Sequence, residues 1–147
     1  MKGTITSAEW EIMRIIWADA PLTSRQIIDR ALTILGWKEG TVKSLLSRLS
    51  QKDAIHKDTS VTPFLFSATI SQHEATRIAL DQCLANTCAK DCHTYLEHLI
   101  ATKSLSQSDC EHLIDLLQTK RADAPQTVPC NCPTGQCSCH HTKGAYP

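Results

Sequence analysis

The sequence has no surplus of charge, no long apolar run and no recognisable set of catalytic side chains. Fifteen Lys and Arg balance fifteen Asp and Glu, so no bulk field draws the chain onto nucleic acid or membrane. The opening "MKGTITSAEW" has a lysine but no apolar core and no cleavage-site pattern, and no stretch approaches the roughly 18 apolar residues of a membrane span. The expectation is a cytoplasmic protein without a membrane partner. No Ser/His/Asp set, phosphate loop or pair of acids stands out, so an enzyme is the class with least support. What the chain does hold is cysteine: eight in 147 residues, four of them within "CNCPTGQCSC" at 130–139. In a reducing compartment clustered cysteines serve as metal ligands or redox groups more often than as disulfides.

Charge is spread unevenly along the chain. Residues 1–70 hold nine basic and seven acidic groups, residues 71–125 hold five and eight, and residues 126–147 hold only Lys143. The first segment reads as three helices and a hairpin. "TSAE" (Thr6 to Glu9) is a capping box before "WEIMRIIWAD", "DAPL" breaks that helix, and "TSRQ" (Thr23 to Gln26) caps a second helix carrying Ile27, Ile28, Ala31, Leu32 and Leu35, which Gly36 ends. In "GTVKSLLSRLSQK" the residues Val42, Leu45, Leu46 and Leu49 fall on one helical face and the other face is polar. "AIHK" and "FLFSA" then read as strands joined by "DTSVTP". "SQHE" opens a long helical pattern from about residue 72 to about residue 102, and "SQSD" (Ser106 to Asp109) opens a last helix. From Arg121 onward periodicity is lost, which predicts an irregular tail unless a metal orders it.

This order is that of a winged helix-turn-helix, and the fold class is mainly α: an N-terminal winged helix-turn-helix at 1–70, helices at 71–120 and a Cys-rich tail at 121–147. On the third helix Thr41, Lys43, Ser44, Ser47, Arg48 and Gln51 lie away from the leucine stripe. Lys43 and Arg48 suit phosphate or guanine edges, and the hydroxyls suit bases and backbone, so this face either enters a major groove or is the solvated side of a core helix. Residues 72–120 offer more apolar surface than a small domain covers. Pairing with a second copy is the favoured use, because a two-fold dimer presents two recognition helices to an inverted repeat.

Two thiolates in C-x-C sit close enough to chelate one ion, and "PTGQ", with Pro133 and Gly135, can turn the chain so that Cys130, Cys132, Cys137 and Cys139 face one site. Such an S4 set suits tetrahedral Zn(II) and also Cu(I), which accepts two or three bridging thiolates. Zinc ribbons more often use C-x2-C, so the tighter spacing leans towards copper. His140 and His141 follow as auxiliary donors or bystanders. Cys83, Cys88, Cys92 and Cys110 read as small buried hydrophobes, although Cys88 and Cys92, one helical turn apart with His93 adjacent, leave a second site open.

"TSAEWEIMRIIW", "TVKSLLSRLSQKDAI" and "FLFSA" together resemble the winged-helix repressors of the penicillinase-repressor (BlaI/MecI) type over nearly residues 4–120, and "CNCPTGQCSC" narrows the resemblance to the copper-transport (CopY-type) branch. The resemblance implies a homodimer that represses copper-export genes at short inverted repeats of operator DNA. It implies Zn(II) in the tail of the DNA-bound form, and release when Cu(I), commonly handed over by a copper chaperone, replaces zinc. By position it puts Thr41, Lys43, Ser44, Ser47 and Arg48 on the recognition helix and Cys130, Cys132, Cys137 and Cys139 in the metal motif. Two departures stand out: Asp53 where members often have Gly after the recognition helix, and "DTSVTP" where they often carry a basic wing. Two rival readings remain at this point. A metal-storage or copper-chaperone protein would show no specific DNA affinity, and an antibiotic-responsive repressor would leave the tail cysteines unexplained.

Overall fold

The computed structural model describes residues 3–140. The chain divides into two compact units between Leu80 and Asp81. In the first, α1 (Ser7–Asp19), α2 (Ser24–Leu35) and α3 (Glu39–Gln51) are followed by the hairpin β2 (Ile55–Asp58) and β3 (Leu65–Ala68). A two-residue strand, β1 (Leu22–Thr23), pairs with β3, so the sheet has three antiparallel strands in the order β1-β3-β2. β1 begins within "DAPL", which in the sequence reads only as a helix break. Two residues carry no alternation, and the strand exists only because Leu22 lies opposite Phe66 and is buried.

Both predicted capping boxes form: Thr6 with Glu9, and Thr23 with Gln26. Gly36, at φ 69°, closes α2 in the left-handed region that a residue without Cβ reaches at little cost. The core brings together Ile12, Met13 and Ile16 of α1, Ile27 and Ala31 of α2, and the α3 stripe of Val42, Leu45, Leu46 and Leu49, all buried. Each such Ile or Leu contributes about 2 kcal/mol by leaving water. The apolar run of α2 does not all point inward. Leu32 is 56% exposed and Leu35 half-buried, because the face of α2 towards α1 and α3 is already filled by Ile27, Ile28 and Ala31.

Glu9 is 1% exposed and is the buried charged residue among those described in this unit. Its Oε2 accepts from the Thr6 backbone N–H at 2.8 Å and from Lys52 Nζ at 2.6 Å, and Lys52 Nζ also donates to the Thr4 carbonyl at 2.6 Å. The start of α1 is thus fastened to the residue that follows α3. Next to it Asp53 takes φ 55°, and its carbonyl accepts from Thr69 Oγ1 at 2.6 Å. Aspartate is one of the residue types that tolerates this left-handed conformation.

The long helical pattern from 72 to 102 is interrupted. α4 (Gln72–Ala85) and α5 (Cys92–Thr102) are separate helices, with one 3-10 turn at Ala89–Asp91 between them, and α6 (Gln107–Ala122) follows. At the break Asn86 Nδ2 donates to the Gln82 carbonyl at 3.0 Å and Thr87 Oγ1 to the Leu84 carbonyl at 2.7 Å, so the last carbonyls of α4 are met by side chains. The capping box of Ser106 with Asp109 at α6 forms as the sequence predicts.

Burial alone pushes the Glu9 carboxyl up, but the Lys52 hydrogen bond, the two Thr6 hydrogen bonds and the Lys52 charge together hold it below the usual value of 4.5. A carboxylate depressed on folding stabilises the fold above its unfolded pKa, and that contribution is lost as pH falls through the folded value. Lys52→Met should therefore lower stability at pH 7 by on the order of 3 kcal/mol, since it strands a buried charge. The gap to wild type should narrow at pH 4, where the unpaired Glu9 has already taken its proton. Urea unfolding at both pH values measures this, and an equal gap at pH 7 and pH 4 would rule out the buried pair as its source.

Candidate nucleic-acid interface and metal centre

The polar side of α3 is built by the helical period. With Val42, Leu45, Leu46 and Leu49 turned into the core, Thr41, Lys43, Ser44, Ser47 and Arg48 are all exposed on the opposite side. They do not meet the solvent equally free. Lys43 Nζ lies 2.5 Å from Glu39 Oε1, one turn earlier. Glu39 also attracts Arg25 of α2 at 3.8 Å, and Arg25 pairs with Asp29 at 3.1 Å. The Lys43 contact holds the Glu39 carboxyl below its usual range. Arg48, by contrast, makes no ion pair among the described residues.

Arg25 and Lys57 were not singled out in the sequence. Both line, with Lys43, an open groove of about 500 Å³ between the start of α2, α3 and the hairpin. Lys57 stands 4.2 Å from the centre of the Phe64 ring, a cation–π contact across the hairpin. In the linear sequence these two are ordinary surface cations. Only the packing of α2 and the hairpin beside α3 gathers three positive groups around one groove.

The metal-type cluster lies in the second unit. The Sγ atoms of Cys88, Cys130, Cys132 and Cys137 all lie within 4.8 Å of one another. Cys139 Sγ is 3.7 Å from Cys88 Sγ. The tail reaches this arrangement through a turn in which the Gln136 N–H donates to the Pro133 carbonyl at 3.1 Å, with Gly135 at φ 88°. Each C-x-C pair repeats one local bond: Cys132 N–H points at Cys130 Sγ at 3.4 Å and Cys139 N–H at Cys137 Sγ at 3.5 Å. Cys83 and Cys110 are exposed and Cys92 half-buried, so of the four cysteines ahead of the tail only Cys88, in the break between α4 and α5, is buried. His141, and the side chain of His140, lie outside the described residues.

The donor set fits a soft, thiophilic ion. It is all sulfur, and tetrahedral Zn–S bonds of about 2.3 Å put sulfurs about 3.8 Å apart, so the set needs to contract by only about an ångström. Cys88, Cys130, Cys132 and Cys137 are the residues placed to hold such an ion; Cys139, expected from the motif as the fourth ligand, lies outside this set, beside Cys88. Without a cation, crowded thiols do not ionise together. Hydrogen bonding from the Cys139 backbone N–H, then from the Cys139 thiol, lowers Cys137 to about 7. Burial and the neighbouring sulfurs of Cys130, Cys137 and Cys88 push Cys132 up to about 12, and the neighbours Cys137 and Cys88, with burial, push Cys139 up to about 12.

In the metal-free chain, then, Cys137 should be alkylated first by iodoacetamide, with a half-maximal rate near pH 7, while Cys132 and Cys139 stay slow into alkaline solution because the thiolate is the nucleophile. Peptide mapping by mass after timed quenching measures it. Identical pH profiles for the three would mean that the sulfurs do not share one environment.

A family model described as the penicillinase repressor matches residues 5–119. An uncharacterized 16.5 kDa protein in the ptsI 3' region of Latilactobacillus sakei is 34% identical over 135 residues, which is 92% of this chain and 92% of that protein. The methicillin resistance regulatory protein MecI of Staphylococcus aureus is 23% identical over 116 residues, 79% of this chain and 94% of its own. The solution structure of the DNA-binding domain of the repressor BlaI superposes with a TM-score of 0.45 at 24% identity, covering 50% of this chain and 93% of that domain. The chain belongs to the penicillinase-repressor family, whose members are DNA-binding transcriptional repressors.

Proposed function

We propose that the protein is a copper-responsive repressor of copper-export genes, of the CopY type, working in the cytoplasm as a homodimer on an inverted-repeat operator. The observation that carries this reading is the convergence of the tail sulfurs in a chain that also carries a winged helix with a polar recognition face. An antibiotic-responsive repressor has no use for those thiols, and a storage protein has no use for the winged helix. When bound, Zn(II) gives the tail thiolates a tetrahedral centre, whereas Cu(I) accepts fewer and bridging thiolates. The two metals therefore ask different shapes of the same residues, and the chain responds only if one shape favours the operator-binding state. We take the zinc form as that state and Cu(I), received from a copper chaperone, as the inducer.

Thr41, Ser44, Ser47, Lys43 and Arg48 are the proposed contacts to DNA, with Arg25 and Lys57 added as phosphate contacts at the edge of the groove. Dimerisation is assigned to α5 and α6. Neither helix has a buried residue, and Leu96, Ile100, Ile114, Leu116 and Leu117 are each about half exposed or more. A second copy would cover that surface and supply the second recognition helix. No helix among the described residues is long and apolar enough to cross a membrane.

Operator affinity, followed by fluorescence anisotropy on the DNA upstream of the protein's own gene, tests the reading. Cu(I) added to the zinc-loaded protein should release the DNA, and Cys132→Ser with Cys137→Ser should abolish that release while the winged helix stays folded. Release at the same copper concentration in the double variant would remove the tail as sensor.

The α3 face makes a separate prediction. Arg48→Ala should weaken binding about tenfold and reduce the salt slope by about 1, as for one lost phosphate contact. Glu39→Gln, which frees Lys43 and removes a negative charge from the DNA face, should strengthen binding several-fold at low salt. Unchanged affinity in both variants would move the DNA-reading surface off α3.

A further inference from the structure

We propose that Cys88, from the break between α4 and α5, is a ligand of the same metal ion as the C-terminal cysteines, so that the ion ties the tail to the helical region. This rests on the metal-binding reading of the tail and adds a residue that the C-x-C-x4-C-x-C motif does not contain. The mutually close sulfur set consists of Cys88 with Cys130, Cys132 and Cys137, and Cys139, the exposed fifth cysteine, is the one outside it. Four thiolates complete a tetrahedron. A centre made of the tail alone would leave the buried Cys88 thiol pressed against bound sulfurs, 3.7 Å from Cys139, with no coordination of its own.

A second contact makes the same connection without sulfur. Cys88 is the N-cap of the 3-10 turn, and its side chain makes no capping bond. The backbone N–H of the next residue, Ala89, donates to Oδ1 of Asn131 at 3.0 Å. Asn131 is the residue between the first two tail cysteines, so one C-x-C pair is held against the break both by its side-chain amide and by its sulfurs. The helix break itself is needed for this, because it takes residue 88 out of the helical ladder and presents its side chain where the tail passes. On binding, each coordinating thiol gives its proton to solvent and its sulfur lone pair to the ion. The region whose position then depends on the metal is the start of α5, not merely the chain's end.

Metal binding by the full-length protein, with Co(II) as the optical probe and Zn(II) in chelator competition, tests the assignment. Cys88→Ser should weaken zinc binding by at least about 100-fold, the upper end of what loss of an outer-shell partner does, and should cut the thiolate-to-cobalt absorption by about a quarter. Cys130→Ser should do the same, and Cys83→Ser should do neither. If wild type binds tightly and Cys88→Ser matches it in affinity and absorption, the ion belongs to the tail alone and this inference fails while the metal-responsive reading stands. If wild type binds neither ion tightly, both fail. A wild-type experiment guards against a misfolded variant: diamide, reduced to its hydrazine as two thiols join, should cross-link Cys88 to Cys139 in the metal-free chain, and one equivalent of Zn(II) should suppress that link. Links within the tail suppressed by zinc, with Cys88 as reactive as before, would also overturn the assignment.

Discussion

A carboxylate that is 1% exposed has to be satisfied from inside the protein, and in the winged unit that requirement fixes where two helices meet. Glu9 is reached by the Thr6 amide from its own helix start and by Lys52 from beyond α3. Lys52 in turn holds the Thr4 carbonyl. The position of α3 relative to α1 is therefore specified by hydrogen-bond direction as well as by the non-directional packing of Ile12, Ile16 and Leu49. A helix whose side chains are to meet base edges needs such positional precision, since side chains displaced by an ångström lose base-edge geometry. Trp17 adds a further directional tie, donating from Nε1 to the Ile70 carbonyl at 2.8 Å where the hairpin gives way to α4.

The charges on the polar side of α3 work against one another. Glu39 occupies Lys43 and attracts Arg25, so part of the positive potential of this face is neutralised. Exposed pairs of this kind are worth little in water, which makes them easy to open and poor contributors to stability. Such an arrangement limits indiscriminate binding to polyanions, in keeping with a chain whose net formal charge is zero.

In the second unit the organising constraint is that crowded sulfurs do not ionise together without a cation. Cys137 is lowered while Cys132 and Cys139 are raised, which is the behaviour of one shared site rather than of independent thiols. A divalent or soft monovalent ion would remove that conflict. α5 and α6 contribute no buried residue of their own, so on our reading this unit depends on the metal and on the second copy.

Residues within a few positions of one another were legible in the sequence: the three capping boxes at Thr6, Thr23 and Ser106, the left-handed stop at Gly36, the four-residue stripe of α3 with its polar reverse, and the paired C-x-C, all of which depend on local hydrogen bonds or helical period. The sequence also carried enough to place the chain in its family. The break at Asn86–Thr87 was not legible, because apolar residues keep a helical spacing across it. β1 is too short to show a period and is made by Phe66. Cys88 read as a buried helical cysteine, and buried it is, but its neighbours are sulfurs more than forty residues further on. Spacing reports which residues share a face or a turn. Which distant groups meet depends on the path of the chain between them, and that path is set by packing, so the sulfur at position 88 and the cations around the α2–α3 groove became visible only in the tertiary structure.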